Sequence, residues 1–193
     1  MRDATRRLLA PGGCLVPRAA RLCVMAVEVL YPEVSTRSGD FRFDCLEAMR
    51  RPMLYASARL HTIGHTKLSK PTEAFHFDFY SPRPLGTDGK PLDREVRLTL
   101  PALRRGRCNA IAWWFDLELD EETTLSVAPG SAVRTWKQNL SFLLEPLTVA
   151  RGDAIEALVW TSGDDQVSAT AGKPGVQRPA DYGKGGALER TST

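Results

Sequence analysis

The sequence contains no apolar stretch long enough to cross a membrane as a helix. Such a span needs about 20 apolar residues in succession, and the apolar run at 23–30 has only the length of a strand. The four cysteines show neither the paired spacing of a disulfide framework nor a Cys-x-x-Cys metal motif. We therefore expect reduced thiols in a reducing compartment, no metal site and no membrane partner.

Neither sign of charge dominates the composition. The 26 basic and 23 acidic residues leave a formal net charge of +3, which is too small to predict direct binding to nucleic acid. Residues 1–21 hold much of the basic excess, a composition that also suits a mitochondrial transit peptide. Pro11-Gly12-Gly13 and Pro17 break an amphipathic helix there, so we expect a protein of the cytoplasm, the nucleus or both.

Short alternating runs predict a mostly β protein. The clearest run is 74–80, where Phe75, Phe77 and Phe79 alternate with polar residues, as in a strand with one buried face. Turn signals separate it from the other predicted strands, and helical spacing is rare. Those strands lie at 20–30, 94–100, 109–119, 123–127, 136–145 and 154–161. The expected fold is an antiparallel β-barrel or sandwich over residues 18–161.

Two segments depart from the β pattern. Phe43, Leu46 and Met49 recur at helical spacing, so a short helical arm is predicted at about residues 41–66. From residue 162 onward Gly, Ser, Thr, Lys and Pro dominate, and large apolar residues become rare. Such a composition buries too little apolar surface to offset the entropy lost on ordering. We predict a disordered C-terminal tail over residues 162–193.

The stretch 136–153 is the most informative part of the chain. Its first half is nearly all apolar at every second position, at Trp136, Gln138, Leu140, Phe142 and Leu144. This alternation predicts a strand with one apolar face, and Pro146 is expected to end it. Arg151-Gly152-Asp153 then predicts a turn into the strand at 154–161.

This order of strand, Trp-Lys-Gln, strand, Pro and Gly-Asp turn resembles the C-terminal β-barrel of the protein arginine methyltransferases. The resemblance runs from about residue 8 to residue 159 and includes Leu-Leu-Ala-Pro-Gly-Gly at 8–13, which in the family closes the nucleotide-binding domain. Gly-Asp-Phe-Arg-Phe-Asp at 39–44 is similar to the start of the family's dimerisation arm. The stretch 68–79 is similar to the strand that returns from that arm. The details are most similar to the duplicated, type III-like branch.

The resemblance implies the barrel part of an enzyme that transfers a methyl group from S-adenosyl-L-methionine to protein arginine. Residues 1–17 would be the remnant of the end of a Rossmann-like domain. The family's glycine-rich cofactor loop and its catalytic glutamates have no match here, so we expect this chain to hold no catalytic or cofactor-binding residue and to be inactive alone. The implied partners are arginine-rich protein substrates and either a second copy of the chain or a full-length methyltransferase.

The resemblance also implies candidate site residues. The family's substrate-facing turn usually reads Thr-His-Trp, and the matching positions here read Arg134-Thr135-Trp136. Trp136 and Thr135 are thus candidate substrate-binding residues, with Thr135 in place of the histidine. The alternative for Trp136 is a core residue at the head of its own strand. By position in the arm, the candidate dimerisation residues are Phe43, Leu46 and Met49.

Other interpretations stay open. One strand end carries an acidic cluster that consists of Asp116, Glu118, Asp120, Glu121 and Glu122. This cluster either steers arginine-rich peptides toward the protein or is simply a solvated hairpin. His61 and His65 lack a third metal ligand nearby, and Cys108 lacks a general base to activate it. The whole chain could instead be a non-catalytic interaction module that pairs with a full-length methyltransferase or binds arginine-rich proteins. An unrelated β-sandwich binding protein is the third hypothesis.

Overall fold

A computed structural model describes residues 7–30, 37–38, 41–42, 55–81, 84–87, 89, 91–133, 135–162 and 166–178. In chain order its strands are β1 (Ala19–Val29), β2 (Arg37–Ser38), β3 (Phe41–Arg42), β4 (Tyr55–Ala58), β5 (His65–Lys67), β6 (Thr72–Asp78), β7 (Arg94–Pro101), β8 (Gly106–Glu118), β9 (Thr124–Ser126), β10 (Gln138–Val149), β11 (Ala154–Ser162) and β12 (Gln166–Gly172). A 3-10 turn, Leu60–Thr62, connects β4 to β5. Among these residues no helix has the length and apolarity needed to cross a bilayer.

The strands form two main antiparallel sheets. The large sheet runs in the order β4-β10-β8-β1-β5, with β6 also paired to β1 and β9 paired to β8. The small sheet runs β12-β11-β7, and β2 pairs with β3 in a short ribbon. The mostly β, antiparallel fold predicted from the alternating runs is confirmed.

The large sheet has a core on each of its faces. Leu22 and Val24 of β1 point into the main core, between the two sheets. Met25 and Val27 of the same strand point to the opposite face, where they meet a second core that includes Leu60 of the 3-10 turn. Because successive side chains of a strand point to opposite faces, a strand covered on both sides is apolar at nearly every position.

The prediction that Pro146 ends its strand is wrong. β10 continues to Val149, and its register with β8 shifts between Phe142 and Leu147. Pro146 lies within this bulge, where a residue without an N–H group interrupts no ladder hydrogen bond. The alternation predicted for this strand also breaks, since Ser141 and Leu143 are buried as well.

Residues 166–178 are folded, which contradicts a disordered tail beginning at residue 162. β12 pairs with β11 along its whole length, and Ala169 and Ala171 are buried in the main core. The prediction counted only large apolar residues. β12 is instead stabilised by its backbone hydrogen bonds to β11, and its small side chains pack beside larger residues of the main core. The rest of the predicted tail, residues 179–193, lies outside the described residues.

The helical arm predicted at about residues 41–66 is wrong over its second half. β4 is an extended strand paired with β10, and β5 pairs with β1. Extended conformation prevails at residues 55–58 because β10 offers them a row of backbone partners, which local spacing does not reveal. The candidate dimerisation residues Phe43, Leu46 and Met49 lie outside the described residues.

Candidate functional site

The segment before β1 is attached to the end of the sheets where β1 begins and β8 ends, here called the linker end. The N–H group of Leu15 donates to the hydroxyl of Tyr80 at 2.8 Å. The N–H group of Arg18 donates to the carbonyl of Glu118, also at 2.8 Å. These bonds fix the path by which the chain enters the large sheet.

Trp136 lies at the linker end, just before β10. Its ring makes a T-shaped contact with the ring of Phe115, with centroids 5.4 Å apart, and 43% of the residue is exposed. The other three tryptophans are buried. The interpretation of Trp136 as a core residue of its strand is therefore wrong. Its neighbour Thr135 is exposed, and Arg134 lies outside the described residues.

A second exposed aromatic side chain lies on β4. Tyr55 is 51% exposed, and its ring lies 6.3 Å from the ring of Trp113, two positions before Phe115 on β8. The hydroxyl groups of Tyr55 and Ser57 both donate to Oδ1 of Asn139 at 2.6 Å. Sequence reasoning missed Tyr55 and Asn139, because only the pairing of β4 with β10 brings them together.

Gln138 holds the start of β10 in place. Its Nε2 donates to the carbonyl of Val127 at 2.8 Å, and its Oε1 accepts from the N–H group of Leu60 at 2.9 Å. The side chain is buried. Gln138 thus links β10 to the segment after β9 and to the 3-10 turn. The alternating pattern in the sequence did not reveal this structural role.

Two carboxylates of the acidic cluster are paired with cations at the linker end. Glu118 lies 3.1 Å from Nε of Arg21 and 3.6 Å from Nε2 of His76. The Arg21 contact is a close charge pair without hydrogen-bond alignment, since its Nε has no hydrogen-bond partner. Glu121 lies 3.5 Å from Arg18. These pairs reduce the negative field that an arginine-rich peptide would meet.

Two more members of the cluster are occupied locally. Asp116 accepts a 2.6 Å hydrogen bond from the hydroxyl of Ser126. Asp120 accepts from the N–H groups of Glu122 and Thr123, and these bonds hold the pKa of Asp120 below its usual range. A solvated, self-paired hairpin is the interpretation that these contacts favour.

The thiols of Cys23 and Cys108 are not activated. Burial, followed by the negative charge of Asp116, raises the pKa of Cys23 to about 11. Burial raises the pKa of Cys108 to about 12. Both thiols are therefore protonated at neutral pH and are poor nucleophiles. Within the described ranges, no group of three His, Cys, Asp or Glu side chains is placed to hold a metal ion.

The sequence of this chain is similar to sequences of known arginine methyltransferases. The chain matches the family described as the arginine methyltransferase oligomerization subdomain over residues 18–168. It is 30% identical over 158 residues to the arginine N(omega)-methyltransferase of Streptomyces achromogenes subsp. streptozoticus, covering 80% of this chain and 42% of that protein. It is 29% identical over 154 residues to protein arginine N-methyltransferase 7 of Danio rerio, covering 68% of this chain and 20% of the relative.

Among solved structures, a similar fold occurs in the PRMT1 enzyme–prozyme heterotetrameric complex of Trypanosoma brucei with AdoHcy. The TM-score is 0.67 at 18% identity, over 87% of this chain and 57% of that chain. At this identity the match shows the shared fold, and the chain spans less than two thirds of the length of each of these three proteins. The sequence match over both sheets nevertheless shows that the chain belongs to the arginine methyltransferase oligomerization subdomain family, as a C-terminal barrel portion of a protein arginine methyltransferase.

Proposed function

We propose that this chain is the substrate-groove and dimerisation part of an S-adenosyl-L-methionine-dependent protein arginine N-methyltransferase. The observation that carries the proposal is Trp136, half exposed at the linker end and supported by Phe115, within the region that matches the family. The relatives that match are longer than this chain. The proposal assigns the cofactor-binding half to a part of the enzyme other than this chain, and the greater length of the relatives supports that assignment.

In such an enzyme, Trp136 forms part of one wall of the groove that receives the arginine side chain. An exposed aromatic face attracts a guanidinium group and excludes water from it. Thr135 presents a hydroxyl where the family usually has a histidine. Phe115 and Gln138 act as positioning residues, since the first supports the ring of Trp136 and the second fixes the strand that follows it.

The described residues do not themselves fit the cofactor. A nucleotide site of the Rossmann type needs a glycine-rich turn between a strand and a helix. The turn at Gly12 and Gly13 leads into β1, which is a strand. When bound in the complete enzyme, S-adenosyl-L-methionine supplies the methyl group, and the carboxylates that orient the guanidinium belong to residues outside this sequence.

Two experiments test whether the cofactor binds outside this chain. They are calorimetry of the purified chain with S-adenosyl-L-methionine and a radiolabel transfer assay on arginine-rich peptides. We expect no saturable cofactor binding and no methyl transfer, because positioning of the cofactor supplies much of the rate enhancement in such a reaction. Stoichiometric binding at micromolar affinity would overturn the proposal.

A barrel exchange tests the role of Trp136. In a chimeric enzyme, residues 18–178 of this chain replace the matching part of the Streptomyces methyltransferase. The methyl transfer activity of this chimera is then measured. We expect Trp136→Ala to lower kcat/KM by about tenfold or more, since a misplaced substrate loses much of its reactivity. Leu144→Ala removes a similarly exposed apolar side chain from β10 and serves as the control. Equal losses in both variants would contradict the groove assignment.

A second candidate function is a non-catalytic subunit that pairs with a full-length methyltransferase. The observation that favours it is the similar fold in an enzyme–prozyme heterotetrameric complex. Native mass spectrometry of this chain mixed with a full-length relative tests the pairing. A heteromer with altered transfer rate supports it, and homo-oligomers alone count against it.

A further inference from the structure

The end of the sheets opposite the linker end carries a group of exposed cations. They come from three connections, at residues 67–70, 102–107 and 150–153. The side chains are those of Lys67, Lys70, Arg104, Arg105, Arg107 and Arg151. These residues are here called the basic end.

Backbone hydrogen bonds join the three connections into one surface. The N–H group of Leu103 donates to the carbonyl of Leu68 at 2.7 Å. Ala102 and the turn at Gly152-Asp153 exchange two bonds of 2.8 Å. Gly106 packs so closely over Leu68 that an added Cβ would lie 2.6 Å from its side chain. The cations are thus displayed on a rigid, closely packed support.

Within the described residues, the positive charge of the basic end is largely uncompensated. In the part of the chain that the structure describes, none of its six cations forms an ion pair, whereas Arg18 and Arg21 at the linker end both do. Among the described residues, Glu28 and Asp153 lie in or pair with the three connections, and each accepts a backbone hydrogen bond. Against the six cations, these two carboxylates leave an excess of four positive charges in the described part of this surface. Such an excess favours an anionic partner.

The chemistry of the surface indicates which polyanion fits it. Leu103 stands among the cations with 41% of its side chain exposed, and the three connections contain no aromatic residue. Single-stranded nucleic acid is usually bound with aromatic stacking platforms. A charged rim around an apolar centre is typical of protein interfaces.

We propose that the basic end is a docking surface for an acidic protein segment, one of whose apolar side chains covers Leu103. The surface is separate from the linker end where Trp136 lies. Its function does not depend on the role proposed for the chain in methyl transfer.

Fluorescence anisotropy with a short labelled peptide of Asp and Glu with a central Leu tests the surface on the whole chain. We expect saturable binding that weakens as salt rises, and a loss of about tenfold in affinity in the double variant Arg104→Glu/Arg105→Glu. The matched control is Lys137→Glu/Lys173→Glu, which makes the same change in net charge at exposed positions elsewhere. It should bind like the unmodified chain.

Three further measurements make the outcome decisive. Leu103→Ser should weaken the peptide with the central Leu and leave an all-acidic peptide unaffected. Circular dichroism checks that the variants fold, and Arg151→Glu replaces the double variant if that one does not. The proposal is overturned by the absence of saturable binding, by an equal loss in the control, or by tighter binding of a DNA or RNA oligonucleotide than of the peptide.

Discussion

At the scale of single residues, the buried amide of Gln138 holds the start of β10 through two hydrogen bonds. Replacing it with leucine leaves the N–H of Leu60 and the carbonyl of Val127 without their partner. Each buried polar group left unpaired costs about 1–3 kcal/mol. We therefore expect Gln138→Leu to lower the free energy of unfolding by about 2 kcal/mol or more, measured by urea denaturation. The adjacent exposed residue gives the control, since Lys137→Ala should change stability by only about 0.5 kcal/mol or less.

Trp136 differs from the other tryptophans in its solvent contact, and fluorescence can detect this difference. Trp113, Trp114 and Trp160 are buried, so acrylamide should quench mainly the emission of Trp136. We expect Trp136→Phe to remove most of the quenchable emission and to shift the remaining spectrum to the blue. The same change at Trp160 should leave the quenchable fraction in place. Quenching that survives in Trp136→Phe would contradict the exposed position of the ring.

The thiols provide a prediction that depends on pH. Cys14 is exposed, whereas the pKa of Cys23 is raised to about 11 and that of Cys108 to about 12. Because alkylation requires the thiolate, iodoacetamide at neutral pH should modify Cys14 well before the other two, as read by peptide mass mapping. The stability that the raised pKa values contribute is complete below the ordinary value of 9.0 and is lost as pH rises through 11 and 12. Modification of Cys108 in the native protein at neutral pH would contradict its burial.

At the scale of elements, the sequence predicted two kinds of strand. One kind has a solvent-facing side and alternates between apolar and polar residues, and the other is a clear apolar run. The prediction at 94–100 agrees with β7, and the prediction at 154–161 agrees with β11. β4 and β12 could not be predicted in this way, because neither has the large apolar side chains that mark a strand. Their conformation depends on partners that are distant in the chain, β10 for the first and β11 for the second.

The segment after β12 covers the outer face of the small sheet. Leu158 and Trp160 lie on the face of β11 that points away from the main core, and both are buried. The guanidinium of Arg178 lies 5.0 Å from the centre of the Trp160 ring. Glu156 accepts from the N–H group of Gly175 at 2.8 Å. Residues 173–178 are therefore part of the folded unit.

Truncation after Gly172 tests this covering segment. Loss of residues 173–178 removes the Arg178 side chain that lies over the Trp160 ring, and exposing one large apolar side chain costs about 1.5–3 kcal/mol. We expect the chain truncated after Gly172 to unfold at a lower urea concentration than a chain truncated after Arg178. Equal stability of the two chains would contradict the packing.

Acid should loosen the same segment. The hydrogen bond from Gly175, followed by that from Arg97, holds the pKa of Glu156 below its usual range. The stability that it contributes is present above the ordinary pKa and is lost as pH falls through the lowered one. We expect hydrogen exchange of the Gly175 amide to be protected at neutral pH and to lose that protection only in strong acid. Glu156→Gln, which cannot titrate, should remove this pH dependence.

At the scale of the whole molecule, the candidate site was only partly visible in the sequence. The resemblance pointed to Trp136 and Thr135 because they are close together in the chain and match a known turn. Tyr55 and Asn139 are 84 residues apart in the sequence, so no local pattern connects them. The basic end was hidden for the same reason, since a net charge of +3 does not show that six cations gather at one end.

Self-association is the property of the whole molecule that the family predicts. The chain belongs to an oligomerization subdomain family, and the resemblance puts Phe43, Leu46 and Met49 in the dimerisation arm. Apolar residues on the surface of a dimerisation arm favour association in general, so we expect sedimentation velocity to show concentration-dependent oligomers. Leu46→Asp should shift the distribution toward monomer, because burying an unpaired charge in an interface is costly. Leu144→Asp, at an exposed apolar position of β10, is the matched control and should leave association intact. A chain that stays monomeric at high concentration, or that responds equally to both substitutions, would show that these three residues do not form the contact between copies.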